Sequence, residues 1–255
     1  MLRSLVSFFV LLSVKYVSRL FFRFDVEWVE TPPPDRWQRL RLVAILHHTS
    51  LYEPILAGAA EIRFIWALAR HGVLPVAAKT MRRKVGLFFR LLVNDVVVVT
   101  RKKDHTWQAV LDRVDEKAVV CILPEGRMMR RTGLDSEGRP MTVRGGIADI
   151  LRAIPEGYMF LVYSGGLHHI QAPGELLPRP FKTIRLRAEI VDIREYREHL
   201  IREHGEGSFK RAVIADLEHR RDTLCPTPYD IRELTERALA FRAQENGHPV
   251  EQADS

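Results

Sequence analysis

The chain is 255 residues long and carries 39 Lys and Arg against 32 Asp and Glu, a formal surplus of +7. Hydrophobic residues make up 46% and charged residues 28%, which excludes a disordered chain, a collagen-like repeat and a polytopic membrane protein and leaves a basic globular domain with appendages. The surplus fits nucleic acid, an anionic membrane surface or an acidic substrate, and the placement of the charges decides among them.

The amino terminus is apolar first and basic after. Ser4 to Val14 runs 11 residues without a charge, and Lys15, Arg19 and Arg23 follow at four-residue spacing. A free transmembrane helix takes about 20 largely apolar residues, so this run is short for one. The spacing puts the three cations on one helical stripe, opposite much of Leu12, Val14, Val17 and Phe21, with Phe22 falling inside the stripe. The pattern predicts a helix lying in the bilayer interface, its bases toward anionic headgroups. A spanning or cleaved signal helix and an internal core helix are the rival readings; no small-x-small cleavage site follows the apolar run.

Pro32-Pro33-Pro34 reads as a stiff linker between this anchor and the body. Leu42 to Leu46 is a buried strand, followed by a loop from His47 to Tyr52 and a helix near Pro54. Ile62 to Leu68 reads as a second strand and Lys79 to Leu92 as a basic helical segment. Asp95 to Thr100 is the clearest strand, Asp104 is placed to cap a helix through Val114, and Ala118 to Leu123 is a central strand. A polar, Gly-rich loop covers Pro124 to Gly146, and further strands cover Tyr158 to Tyr163 and Thr183 to Val191. The expected fold is α/β, a mixed sheet flanked by helices. From about Ile193 the chain is laced with both signs of charge, with helices at Ser208 to Leu224 and Ile231 to Ala243 forming a solvated cap, and the last ten or so residues disordered. The implied organisation is a membrane-associating helix at 1–30, a catalytic domain at 31–205 and a helical extension and tail at 206–255. Cys121 lies within an apolar run, far in sequence from Cys225, which suits a buried thiol in a reducing compartment and no cysteine-based zinc site.

His47-His48-Thr49-Ser50-Leu51-Tyr52-Glu53-Pro54 places a histidine at a strand's end and a carboxylate five residues on, at a helix start. Such a turn lets the carboxylate fix the imidazole's tautomer and stabilise the imidazolium, as a general base for an alcohol requires. Downstream, Ile122-Leu123-Pro124-Glu125-Gly126-Arg127 is a strand ending in Pro-Glu-Gly, with Arg130 and Arg131 close behind, a composition suited to an anion-holding pocket. Val96 to Thr100 leads into Arg101.

With these segments the chain resembles the glycerophosphate and lysophospholipid acyltransferase family. That family's motifs are, in order, Asn-His-x-Ser-x-x-Asp, a strand ending in arginine, Phe-Pro-Glu-Gly-Thr-Arg-Ser, and a later apolar strand containing proline. His48 takes the place of the catalytic histidine, Ser50 of the serine, and Glu53 of the aspartate; Arg101 matches the second motif and Pro124, Glu125 and Gly126 the third. Arg144-Gly145-Gly146 resembles the Phe-Lys-x-Gly segment that follows, and Phe160 to Gly165 sits where the fourth motif belongs. The departures are His47 for asparagine, Glu53 for aspartate, Arg127-Met128 for Thr-Arg, and a fourth motif without its proline. By resemblance, His48 and Glu53 are catalytic, while Arg101, Glu125, Gly126, Arg127, Arg130 and Arg131 bind substrate. The implied reaction moves an acyl group from acyl-CoA or acyl carrier protein to a lysolipid hydroxyl, by default that of 1-acylglycerol-3-phosphate, at the cytoplasmic face of a membrane. It implies neither metal nor organic cofactor.

Ser50 and Ser164 lie outside any Gly-x-Ser-x-Gly elbow. His47-His48 and His168-His169 lack a third ligand at useful spacing. Arg82-Arg83-Lys84 and Arg101-Lys102-Lys103 come without a nucleic-acid motif. The first of these groups adjoins Val85 to Phe89, which suits either membrane contact or an amphipathic core helix. Two functional readings stand: an acyltransferase, and a catalytically degenerate relative that binds lipid or acyl chains without turnover.

Overall fold

The computed structural model describes residues 1–100, 105–172 and 175–226. In chain order the elements are α1 (Leu2–Phe21), β1 (Arg23–Trp28), β2 (Leu40–Leu46), a 3-10 helix (Glu53–Gly58), α2 (Ile62–His71), β3 (Gly72–Ala77), α3 (Ala78–Met81), α4 (Lys84–Leu92) and β4 (Asp95–Val99). Then come α5 (His105–Leu111), β5 (Val119–Ile122), α6 (Gly146–Ala153), β6 (Tyr158–Tyr163), β7 (Thr183–Asp192), α7 (Ile193–His204), a short 3-10 turn (Glu206–Ser208) and α8 (Phe209–Leu224).

The strands form one mixed sheet in the order β1-β7-β6-β2-β5-β3-β4. All neighbours are parallel except β6 and β7, so β1 and β7 run against the other five. β2 is buried along nearly its whole length, as an interior strand covered on both faces must be. Its residues alternate between two cores. Leu42, Ala44 and Leu46 pack with α6, α7 and α8, while Val43 and Ile45 turn toward Trp37, Phe64, Leu68 and Phe160 on the face that α1, α2 and α4 cover. β2 lies between β5 and β6, and the loops that leave the carboxyl ends of β2 and β5 therefore emerge side by side, the place where open α/β sheets take ligands.

Several sequence expectations change. Ile62 to Leu68 is helix, not strand: Ile65 and Ala69 fall one turn apart and are buried, while Arg63 and Arg70 face solvent. Over so short an apolar run, strand and helix periods are hard to separate. The strand is Gly72–Ala77 instead, where Pro75 argues against one; β3 pairs with β5 only at Gly72 and Val73, so the proline lies beyond that ladder. The basic segment after Lys79 is two helices, broken at Arg82 and Arg83. Asp104 and the Ile231 to Ala243 helix lie outside the described residues, as does the carboxyl-terminal tail. α8 is no solvated cap: Phe209, Val213 and Leu217 are fully buried. Arg220 of α8 reaches Glu189 on β7 at 2.6 Å, and Tyr163 on β6 donates to the same carboxylate at 2.7 Å. Cys121 and Cys225 are both free thiols.

The amino terminus departs most. The triple proline does not separate it from the body, because β1 pairs with β7 over its full length. Nor do its bases point outward as a set. Lys15 is buried and donates to the carbonyls of Ala60 at 2.6 Å and Gly58 at 3.4 Å, and Arg19 Nε donates to Gly58 at 2.9 Å. Both cations therefore grip the carboxyl end of the 3-10 helix, where carbonyls lack helical partners. At 20 residues α1 is long and apolar enough to cross a bilayer, yet one side is packed on the body. That inward side holds Ser7, Leu11, Lys15 and Ser18, and the exposed side holds Leu2, Val6, Phe9, Tyr16, Val17 and Leu20. Phe8, Val10, Leu11 and Val14 pack on the core around Ile65 and Ala69, so the helix carries large apolar side chains toward solvent as well as toward the body.

Candidate active site

His48 leaves the end of β2, and the chain turns at once so that Glu53 begins the 3-10 helix. Glu53 Oε1 lies 3.0 Å from His48 Nδ1 and accepts the backbone N–H groups of Thr49 at 3.1 Å and Ser50 at 2.8 Å. One carboxylate oxygen thus closes the loop and orients the imidazole together. Burial works against the charged imidazole, but the Glu53 carboxylate, its hydrogen bond and Glu125 outweigh it, and the His48 pKa stands above the ordinary value. His48 Nε2 has no hydrogen-bond partner among the described residues.

Ser50 is spent on structure: its hydroxyl donates to Gln171 and accepts the Tyr52 N–H at 3.1 Å. His47 is buried at φ +70 with neither ring nitrogen bonded among the described residues. Burial, then the nearby Arg221, drives its pKa down to about 3, so it is neutral and no second base.

Glu125 lies beneath this loop rather than in the cleft. Its carboxylate accepts the His48 N–H at 2.6 Å and the His47 N–H at 3.4 Å, and Arg221 of α8 reaches it at 3.2 Å. Glu125 and Arg221 form a buried pair that holds the backbone of the His48–Glu53 loop from below. Gly126 follows at φ +64, a conformation that glycine adopts without strain.

A cleft of about 450 Å³ opens above His48, lined by Thr80, Thr100, Gly126, Arg127, Arg144 and Lys210 among others. On the other face of the sheet, an apolar cavity of about 280 Å³ is lined by Val43, Ile45, Phe64, Cys121 and Phe160. Glu53, Pro54, Leu74, Phe89 and Leu123 line both, so the two spaces share a wall under the His48–Glu53 pair. Burial pushes the Cys121 thiol up to about 12.

The expected binding residues are thus divided. Gly126 and Arg127 line the cleft, but Arg127 is tied to Asp135 and, at 3.0 Å, to Glu137. Arg130 and Arg131 are exposed and do not line it; Arg131 pairs with Glu175 at 2.6 Å. Arg101 lies outside the described residues. Arg144, at the start of the Arg-Gly-Gly segment, lines the cleft with its guanidinium in no ion pair among the described residues. Lys210 was not foreseen. It comes from the first turn of α8 and lies across Gly145, where a Cβ would stand 1.9 Å from Lys210 Cε. Only the docking of α8 brings Lys210 and Arg221 here, and nothing in their local sequence announces it.

No protein-family model matches the chain, and no curated protein matches it. Among solved structures the chain is similar to the 1-acyl-sn-glycerophosphate (LPA) acyltransferase PlsC from Thermotoga maritima, at 18% sequence identity and a TM-score of 0.49, over 82% of this chain and 81% of that one.

Proposed function

We propose that the chain is an O-acyltransferase of the membrane surface, moving a fatty acyl group from acyl-CoA or acyl carrier protein to the hydroxyl of a lysophospholipid, with 1-acylglycerol-3-phosphate the first acceptor to test. The observation that carries the reading is the His48–Glu53 pair: Nδ1 is held at 3.0 Å by a buried carboxylate, and the opposite nitrogen is unpartnered at the edge of a cleft. This is the arrangement of a general base whose tautomer has been fixed. His48 Nε2 takes the proton of the acceptor hydroxyl as its oxygen forms a bond to the thioester carbonyl carbon. The tetrahedral intermediate then collapses, the carbon–sulfur bond breaks, and the departing thiolate recovers the proton from His48. Glu53 stabilises the imidazolium between the two steps and makes no covalent bond. No acyl-enzyme forms, in keeping with Ser50, whose hydroxyl is bonded to Gln171.

The acyl chain of the donor or acceptor fits the apolar cavity behind the pair, and an anionic headgroup fits the cationic cleft in front. There Arg144 is the lining cation in no ion pair among the described residues, since Arg127 is already met by two carboxylates and Lys210 stands 3.7 Å from Asp149. Glu125 and Arg221 act beneath the loop as positioning residues. The outward face of α1, which carries large apolar side chains toward solvent, supports peripheral or monotopic seating, with the cleft on the cytoplasmic side where thioester donors are found. The test is to incubate the protein with acyl-CoA and acyl carrier protein donors and a panel of lysolipids, and to identify products by mass spectrometry. A diacyl product that His48→Ala does not form supports the reading. No product from any pair, or equal product from His48→Ala, refutes it.

A further inference from the structure

The loop before β7 is built unlike an ordinary surface loop. Within Leu176-Leu177-Pro178-Arg179-Pro180-Phe181, three large apolar side chains stand in solvent, Leu176 at 84%, Leu177 at 74% and Phe181 at 74% exposed. The backbone beneath them is fixed. Gln171 donates to the Glu175 carbonyl at 2.8 Å, the Ala172 N–H donates to the Glu175 carboxylate at 2.9 Å, and Arg131 and Arg179 both bind that carboxylate. Phe181 stands at φ +62, a region that costs an L-residue free energy and persists only where the surroundings enforce it. What enforces it is α1: the Phe181 N–H donates to the Phe21 carbonyl at 2.6 Å, and the two rings lie 6.3 Å apart.

This contact makes the loop continuous with the outward apolar side of α1 at Val17, Leu20 and Phe21. At the junction, Arg23 and Lys182 are exposed and in no ion pair among the described residues. An apolar edge with unpaired cations beside it matches the boundary of an anionic bilayer, where side chains enter the acyl region and bases meet headgroups. The geometry points to residues 175–181 as a second membrane foot, which inserts Leu176, Leu177 and Phe181 beside α1. The inference rests on the membrane-surface reading and extends it to a part of the chain far from the amino terminus. It also gives the foot a route to chemistry: the Leu176 carbonyl accepts the Tyr52 hydroxyl at 2.8 Å, and Gln171 accepts the Ser50 hydroxyl, both from the loop between His48 and Glu53.

The test is flotation of the full chain with vesicles of phosphatidylcholine alone and of phosphatidylcholine with phosphatidylglycerol. The triple variant Leu176→Asn, Leu177→Asn, Phe181→Asn removes the apolar tips, and asparagine tolerates the positive φ at 181. The wild type binds the mixed vesicles better, and the triple variant loses at least about tenfold in partitioning with its thermal midpoint unchanged. In a second variant, Leu177→Trp, brominated lipids quench fluorescence beyond the baseline of the four native tryptophans. A triple variant that partitions like the wild type, or an unquenched Trp at 177 in a wild-type background that does bind vesicles, overturns the foot alone. A change in self-association with unaltered vesicle binding also overturns it, assigning the patch to a second copy. A wild type that binds no vesicle overturns the membrane-surface reading and the foot with it.

Discussion

The Glu125–Arg221 pair ties α8 to the His48–Glu53 loop, and Arg221→Met tests that tie. The guanidinium and carboxylate are 3.2 Å apart, with side chains 5% and 1% exposed. At an effective dielectric of about 20, the attraction at that distance is on the order of 5 kcal/mol before desolvation is counted. Removing one partner of a buried pair typically costs about 3–5 kcal/mol, because the other charge is left uncompensated. Glu125 keeps the His48 and His47 backbone donors, so the lower end applies, about 3 kcal/mol. For a chain of this size that corresponds to a fall of about 6–12 °C in thermal midpoint. The assay is thermal unfolding in detergent followed by circular dichroism, with Glu125→Gln/Arg221→Met as the companion. The double variant leaves no buried charge at position 125, and its glutamine oxygen still accepts the His48 N–H, so it recovers about 2 kcal/mol of the loss; Asp222, 2.9 Å from Arg221, loses that partner equally in both variants. An Arg221→Met protein within about 1 kcal/mol of wild type, or a double variant no better than the single one, would refute the claim that this pair supports the loop.

Because Glu53 and Glu125 raise the His48 pKa above the ordinary imidazole value of about 6.5, and only the neutral imidazole accepts a proton, kcat/KM rises with pH and levels off through an apparent pKa above that value. Glu53→Gln moves that inflection down and lowers the plateau; an inflection at or below 6.5 in the wild type contradicts the pairing. Arg144→Ala raises KM for a phosphate-bearing acceptor by about 10-fold or more and changes kcat less, as loss of a charge-assisted contact should. Arg131→Ala leaves both near wild type, and steady-state kinetics on 1-acylglycerol-3-phosphate separates the two. Cys121→Phe fills part of the apolar cavity that Cys121 lines, so long-chain acyl donors lose activity more than short-chain ones. A competition assay over donor chain length reads this directly, and an unchanged preference removes the cavity from the acyl site.

How much of this was legible depended on how locally each feature is encoded. The central strand β2 stood out because residues buried on both faces leave an unbroken apolar run, as at Leu42 to Leu46; β4 stood out by its run of four valines, although it is an edge strand in which only Val97 is buried. β1 did not, because it is an edge strand whose Arg23, Asp25 and Glu27 face solvent, and its partner Thr183–Asp192 lies far down the chain. α7 hid in a charged stretch although Ile193, Tyr196 and Leu200 recur at helical spacing and are buried. The His48–Glu53 pair was readable because five residues and one turn suffice to build it. Its supports were not: Arg221 and Lys210 meet the site through the docking of α8, and a charged residue on a mixed-charge helix looks the same whether it faces water or a buried glutamate. The positive stripe of α1 misled for the same reason, since Lys15 and Arg19 meet backbone carbonyls of a helix that begins at Glu53.

The central claim is that His48, oriented by Glu53, is the base of an acyl transfer. The most direct measurement is release of free thiol from acyl-CoA, in the presence and absence of lysolipid, by wild type, His48→Ala and Glu53→Gln in parallel. The account predicts thiol release that depends on the lysolipid, falls at least about 100-fold in His48→Ala and falls less in Glu53→Gln. Release that persists in His48→Ala at the wild-type rate, or no acceptor-dependent release from the wild type across donors and acceptors, would contradict it.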